Sequence, residues 1–324
     1  MKIRSLETYC VRIPLRPQRR MISALGRHDA SEFLLVRLTT EDGLEGAGEA
    51  TVTPRWSGET AFTAEAIIRR LFAPILTGRD CSDPATIDGL MEQLTVGNWF
   101  ARAAVEMACW DVVGQAAGKP IFELLGGAVR PLEIRNRFSL GAYEPEVAAS
   151  RAAQLWRDGF RTIKVKVGGE PEDDLRRVSA VRQAIGDDGE LTIDANGGWS
   201  IHQAQHFLQR SADLNIALVE QPLTRGDYSG THSLKEEFGI RVLADESCFD
   251  EIQLREVLIH KICDAVTLYP GKQGGILRAR KMAELAAEHE IPCTIGSNLE
   301  WDPGAAAMMQ FIVSTPNVQI ERIP

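Results

Sequence analysis

From about residue 130 onward, two kinds of pattern alternate along the chain. Short apolar runs lie near 133–139, 162–167, 190–195, 216–221, 241–246, 264–269, 292–297 and 318–322. They have the length and β-branched content of buried strands. Longer stretches between them, among them 146–158, 171–185, 250–260 and 276–289, carry apolar residues at helical spacing. Eight strands separated by helices predict an α/β fold, a parallel (β/α) barrel with right-handed crossovers. The polar residues that end successive strands, Lys166, Asp194, Glu220, Asp245, Tyr269, Asn298 and Glu321, recur every 23 to 29 residues, about one βα unit. An open doubly wound sheet gives similar local patterns, but it rarely needs eight strands or an ionisable group at most strand ends.

The first 128 residues read differently. Strand patterns at 1–12 and 33–40 are followed by the turn Glu41-Asp42-Gly43, then by helical patterns at 59–76 and 100–117. In the second helix Ala104, Met107, Ala108, Val112 and Ala116 recur at helical spacing. Strands first and helices afterwards predict a separate α+β domain over 1–128, leaving 129–324 to the barrel. Between the first strands lies the basic stretch Arg16-Pro17-Gln18-Arg19-Arg20, with Arg27-His28 shortly after. It reads either as a flap over an anionic ligand or as a solvated hairpin.

Composition narrows the function classes. The chain has 324 residues, with 36 Lys and Arg against 45 Asp and Glu, a net charge of −9. That balance argues against sequence-independent binding of nucleic acid, whose phosphates would be repelled. No apolar run approaches the roughly 18–20 residues of a membrane span, and charges stand where a signal peptide needs an apolar core. A cytoplasmic protein with no membrane partner is expected. The six cysteines, Cys10, Cys81, Cys109, Cys248, Cys263 and Cys293, are scattered without a C-x-x-C pair, so free and mostly buried thiols are expected.

In a β/α barrel the C-terminal strand ends form the mouth that holds active sites. Three consecutive strands end there in carboxylates, within Ile193-Asp194-Ala195-Asn196, Val219-Glu220-Gln221-Pro222 and Ala244-Asp245-Glu246-Ser247. Three carboxylates converging on a partly dry pocket would repel or take up protons unless a cation neutralised them. All-oxygen ligation suits Mg²⁺, with Mn²⁺ as the alternative ion. One strand earlier, Lys164 and Lys166 stand two apart in Thr162-Ile163-Lys164-Val165-Lys166-Val167 and share a face. Beside a metal ion, each would have its pKa lowered toward that of a usable base.

This constellation resembles the enolase superfamily, in particular its muconate-lactonizing-enzyme-like branch, and is similar also to mandelate racemase. The Lys-Val-Lys strand and the order Asp194, Glu220, Asp245 match that pattern residue by residue. So do Gly48-Glu49-Ala50, the segment from Ala104 to Asp111, and Glu123-Leu124-Leu125-Gly126-Gly127. The resemblance implies a modified (β/α)7β barrel capped by the N-terminal α+β domain, whose loops near 17–30 and 51–58 help choose the substrate. It implies Asp194, Glu220 and Asp245 as Mg²⁺ ligands, Lys166 as acid/base and Lys164 as electrostatic support. A small carboxylate substrate follows, with Glu321, Asn298, Ser297 and Arg20 as candidate substrate contacts. A homo-oligomer is the usual expectation for such an enzyme. Relatives usually continue beyond the position of Pro324 and return to the cap.

The match breaks on the sixth strand. The branch usually carries a second lysine two residues before a further Lys-x-Gly-Gly, whereas here the segment is Leu268-Tyr269-Pro270-Gly271-Lys272-Gln273-Gly274-Gly275. Tyr269 takes the second base's position. It would act as a weak acid, or Lys272 would swing in, or both are structural. The mandelate-racemase-like branch would place a His near the end of strand seven, where this chain has Asn298. With one lysine missing, one-base chemistry on the Lys166 face is expected, a cycloisomerisation or syn-elimination rather than two-base racemisation. An acid-sugar or hydroxy-acid dehydratase on the same scaffold, and a non-catalytic metal-dependent carboxylate binder, are the alternatives.

Overall fold

The structure, a computed structural model, describes residues 1–134 and 136–319. Strand β1 (Ile3–Pro14) leads through a small hairpin, β2 (Met21–Ser23) and β3 (Gly26–His28), into β4 (Ala30–Thr40) and β5 (Glu45–Val52). Strands β1, β4 and β5 form one antiparallel sheet in that order. The helical pattern at 59–76 is divided into Ala61–Ile67, a π-helical turn Ile68–Phe72 and Ala73–Leu76. Pro74 in the last piece has no N–H for the ladder, so a continuous α-helix cannot run through it. The second predicted helix forms as Trp99–Ala117 and lies directly on β5. Gly48 makes this approach possible: a Cβ there would stand 1.8 Å from the carbonyl oxygen of Ala104. The glycine of Gly48-Glu49-Ala50 is therefore a packing requirement.

Seven parallel strands follow in sequential order as one curled sheet: β6 (Phe138–Leu140), β7 (Thr162–Lys166), β8 (Glu190–Asp194), β9 (Ile216–Glu220), β10 (Val242–Ala244), β11 (Ala265–Leu268) and β12 (Cys293–Ile295). The eighth expected strand, 318–322, lies mostly outside the described residues, although Val318 makes a parallel bridge with Cys293. Helices Pro145–Arg157, Pro171–Ile185, Glu251–Ile259 and Ile276–Glu288 fall within one or two residues of their predicted spans. Strand residues Ile163, Val165, Leu191, Ile193 and Val219 pack outward into the core shared with the surrounding helices. Leu218, Leu243 and Ala265 form a separate small cluster. Among the described residues no helix is long and apolar enough to cross a membrane. All six cysteines are free, and all but Cys10 are buried.

Two buried glutamates of the N-terminal part hold the barrel from above. Glu49 accepts the backbone N–H groups of Trp301 (2.8 Å) and Gly304 (3.1 Å), at the start of helix Asp302–Ser314. Glu106 accepts those of Ile276 (3.0 Å) and Leu277 (3.1 Å), at the start of helix Ile276–Glu288, and the indole N–H of Trp110 (2.9 Å). Helix N-termini present unpaired N–H groups and positive dipole ends, which a carboxylate satisfies. Gly275 (φ 137°) gives Glu106 room, because a Cβ there would lie 2.7 Å from its carboxyl carbon.

The Glu106 clamp has a pH signature. Burial pushes its carboxyl up from 4.5 to about 7, against the three donors that favour the anion. The folded protein therefore holds a proton here that the unfolded chain has lost, and stability falls as pH rises from about 4.5 to about 7. The group's full effect is about 3 kcal/mol. Denaturant titrations from pH 5 to pH 8 are expected to give a steeper loss of stability in the unaltered protein than in Glu106→Gln. Equal slopes would remove the assignment.

Candidate active site

Parallel pairing brings the strand ends to one height. Lys166 stands opposite Asp194, and Asp194 opposite Glu220. Glu220 pairs with Leu243, so Asp245 projects one two-residue step further along. All three carboxylates are buried, Asp194 and Glu220 almost completely at 1% and 2% exposure. The period-two alternation that puts Lys164 and Lys166 on one face brings both to this mouth. Lys164 Nζ donates to both oxygens of Glu220 (3.0 and 2.9 Å) and lies 3.1 Å from Asp194 Oδ2. Lys166 Nζ donates to Asp194 Oδ2 (2.6 Å) and to Asn196 Oδ1 (2.9 Å). Arg137 Nη2 approaches Glu220 Oε2 at 4.0 Å.

Burial and pairing compete at each of these groups. For Asp194 burial favours the neutral acid, but Lys166 and Lys164 together outweigh it and hold the carboxyl below its ordinary range. Glu220 goes the other way. Its burial and the neighbouring Asp194 charge raise it, against the pull of Lys164. Burial alone would lower the Lys164 amine, yet the charges of Glu220 and Asp194 win and raise it. Two touching carboxylates thus outweigh the burial of Lys164.

On the sixth barrel strand, Tyr269 is buried with its ring stacked on Trp56 at 5.9 Å and 21°. Trp56 belongs to the turn Pro54–Ser57 after β5 and packs also on Phe249 and Phe100. Burial first, then the charges of Asp245 and other carboxylates, raise the phenol well above 10. Both favour the protonated phenol. Lys272 is placed otherwise than a swinging base requires. It is 0% exposed, and its Nζ donates to Asp245 Oδ1 (2.7 Å), Asp245 O (3.0 Å) and Thr267 O (2.6 Å). An ammonium has three donors, and all three are used.

The remaining candidates are distributed unevenly. Asn298 offers an Nδ2 that is buried without a partner, while its backbone N–H donates to Glu300 (2.8 Å). Ser297 donates to the same Glu300 and is exposed. Arg20 is engaged inside its own hairpin, with Nε 3.3 Å from Asp29, which also takes Arg27 at 2.7 Å. The basic flap is therefore partly neutralised by Asp29, a residue the sequence reading passed over. The hairpin docks on the barrel, where the Ala142 N–H donates to Ile22 O (2.7 Å) and the Tyr143 hydroxyl to Arg20 O (2.6 Å), and on the turn after β5, where Arg55 donates to Leu25 O. Glu321 lies outside the described residues.

Several residues escaped the sequence reading although they adjoin its motifs. Gln221 (φ 39°) accepts the N–H groups of Asp245 (3.2 Å) and Ser247 (3.1 Å), bracing one strand end from the next. Asn196 and Glu246 hydrogen-bond each other across the mouth at 2.9 Å. The only signal was a polar residue one or two positions after each carboxylate.

A divalent cation is tested by the donor set. Three buried carboxylates on adjacent strand ends are the hard oxygen ligands that Mg²⁺ takes, and Glu246 Oε2 is buried without a partner. The residues fit such an ion chemically. As they stand the carboxylates are turned to lysines, and among the described residues no three acidic, His or Cys side chains form a ready cage.

Comparison with known proteins agrees with this architecture. Residues 4–126 match the family model for the mandelate racemase / muconate lactonizing enzyme N-terminal domain. Residues 147–323 match that of the enolase C-terminal domain-like family. The chain is 34% identical to a hydrophobic dipeptide epimerase of Enterococcus faecalis, over 93% of this chain and 83% of that one. It is 28% identical to a chloromuconate cycloisomerase of Pseudomonas putida, over 99% and 87%. A crystal structure of the Enterococcus faecalis V583 dipeptide epimerase, complexed with Mg and L-Leu-L-Tyr, superposes with a TM-score of 0.91 at 32% identity, covering 98% of this chain and 89% of that one. With both halves matched and the strand-end lysines and carboxylates at one height, the chain belongs to the enolase superfamily, in its muconate-lactonizing-enzyme-like branch.

Proposed function

We propose that the protein is a Mg²⁺-dependent enzyme that removes the α-proton of a small carboxylate on the Lys166 face, as a muconate-cycloisomerase-like isomerase or a lyase. The observation that carries this reading is Lys166 Nζ, 2.6 Å from Asp194 and level with Glu220 in the barrel mouth. Asp194, Glu220 and Asp245 would hold the ion, and Asn298 would donate to the substrate through its free Nδ2. Bound there, Mg²⁺ would offset the negative charge that develops on the substrate carboxylate, by several kcal/mol. Neutral Lys166 would accept the α-proton. Lys164 would keep a fixed positive charge beside the developing enolate. Bond change on the same face, by ring closure or by departure of a β-substituent, needs no second base. The residue at the second lysine's position supports this, since a buried phenol raised well above 10 is a poor acceptor for a substrate proton.

The epimerases among the relatives favour a second reading, in which Lys166 takes the proton and Tyr269 returns one from the opposite face. Both are tested in D₂O with Mg²⁺ and a panel of dipeptides, N-acyl amino acids, muconolactone and hydroxy acids, read by mass and chiral chromatography. Deuterium uptake with ring opening or water loss supports the first reading, and inversion of configuration the second. No uptake in any acid would leave a carboxylate binder. For Tyr269→Phe, turnover within about threefold is expected on the first reading. A loss of about 10²-fold or more in inversion is expected on the second.

A further inference from the structure

Between Lys166 and the third strand-end carboxylate lies a pair of side chains to which no task has been given. Asn196 follows Asp194 by two residues and has a left-handed backbone with φ 45°, a conformation that Asn adopts more readily than most residues. Its N–H donates back to Asp194 Oδ1 at 2.9 Å. The chain thus curls over the strand end and delivers the Asn196 side chain into the mouth. Its Oδ1 accepts from Lys166 Nζ at 2.9 Å, and its Nδ2 donates to Glu246 Oε1 at 2.9 Å.

A side-chain amide is nearly symmetric in shape, and its neighbours decide which end faces which way. Glu246 offers Asn196 an acceptor, so Nδ2 turns toward it and Oδ1 is left for the lysine. Reversed, the amide would set N–H donors against an ammonium. Glu246 is buried, and its Oε2 has no partner.

We propose that Glu246 is a positioning residue that, through Asn196, fixes the direction in which Lys166 presents its amine to the substrate. A lysine has four rotatable bonds, and Asp194 alone anchors Nζ at one point. The second contact from Asn196 restricts it to one rotamer, the kind of orientation whose loss by about 1 Å can cost ~10²-fold in rate. The proposal rests on Lys166 being the base.

The test compares Glu246→Leu, Glu246→Gln, Asn196→Ala and the double variant Glu246→Leu/Asn196→Ala, using whichever acid of the panel the unaltered protein exchanges fastest. Glu246→Leu is expected to lower kcat by about 10- to 100-fold with KM within about threefold. Glu246→Gln keeps an acceptor oxygen and is expected to restore most of the rate. The double variant is expected to be no slower than Asn196→Ala alone, because the two act in series. Crystal structures of Glu246→Leu are expected to show Lys166 in more than one rotamer, a readout that needs no substrate. Additive losses, a change confined to KM, weaker Mg²⁺ binding by calorimetry with unchanged kcat at saturation, or a single undisturbed Lys166 rotamer would each overturn it. Lys166→Ala serves as the separate control: if it leaves exchange intact, the base assignment fails. If it abolishes exchange while Glu246→Leu does not slow it, only the role of Glu246 fails.

Discussion

Lys166→Ala is expected to slow α-proton exchange by about 10²- to 10⁴-fold, the range that a positioned general base contributes. The reason is that, among the described residues, the other two lysines at the mouth are fully engaged. Lys164 is occupied by both oxygens of Glu220, and Lys272 has all its donors engaged. The substitution should not unfold the chain. Asp194 keeps Lys164 at 3.1 Å and the N–H of Asn196 at 2.9 Å, so its charge is not left bare. Deuterium uptake by mass spectrometry gives the rate, and a thermal melt gives the control. A variant within tenfold of the unaltered rate, with an unchanged melt, would move the base elsewhere.

Lys272→Met should behave in the opposite way, with stability as the quantity that changes. The substitution keeps the length and apolar stem of the side chain but removes its charge. Asp245 Oδ1 then loses its ammonium partner in a fully enclosed setting, and two carbonyl oxygens, of Asp245 and Thr267, lose a donor. Breaking a buried pair from one side typically costs 3–5 kcal/mol, because the remaining charge is left without compensation. Urea unfolding is expected to show a loss of about that size, about 4 kcal/mol. A mobile base at this position would give another result: stability nearly unchanged and activity gone. The same residue thus separates a brace from a catalyst, and the three filled donors favour the brace.

Much of the site was legible from the chain because strand chemistry is periodic. Side chains two apart share a face, so Lys164 and Lys166 had to point the same way, and a βα unit of about 25 residues brings Asp194, Glu220 and Asp245 to neighbouring strand ends. The departure at Tyr269 was equally visible, as one residue read against a motif. What could not be read was the choice of partners. Lys164 reaches past the intervening strand to Glu220, Lys272 turns inward to Asp245 rather than toward the substrate, and Asp29 takes up Arg20 and Arg27 of the flap. These depend on distances between segments far apart in the chain, which periodicity does not contain.

The glutamates Glu49 and Glu106 show the same division. Both stand inside recognisable motifs, and nothing local tells that they hold the first turns of two barrel helices roughly 170 to 250 residues away. Local pattern established the element types, their order, and which polar groups crowd the barrel mouth, since those follow from backbone geometry over a few residues. Folding in three dimensions chose which charge meets which, how strongly each proton is held, and that Asn196 and Glu246 meet across the mouth. Such pairings are settled by burial and by the few ångströms between side chains, and those exist only once the strands have closed around one another.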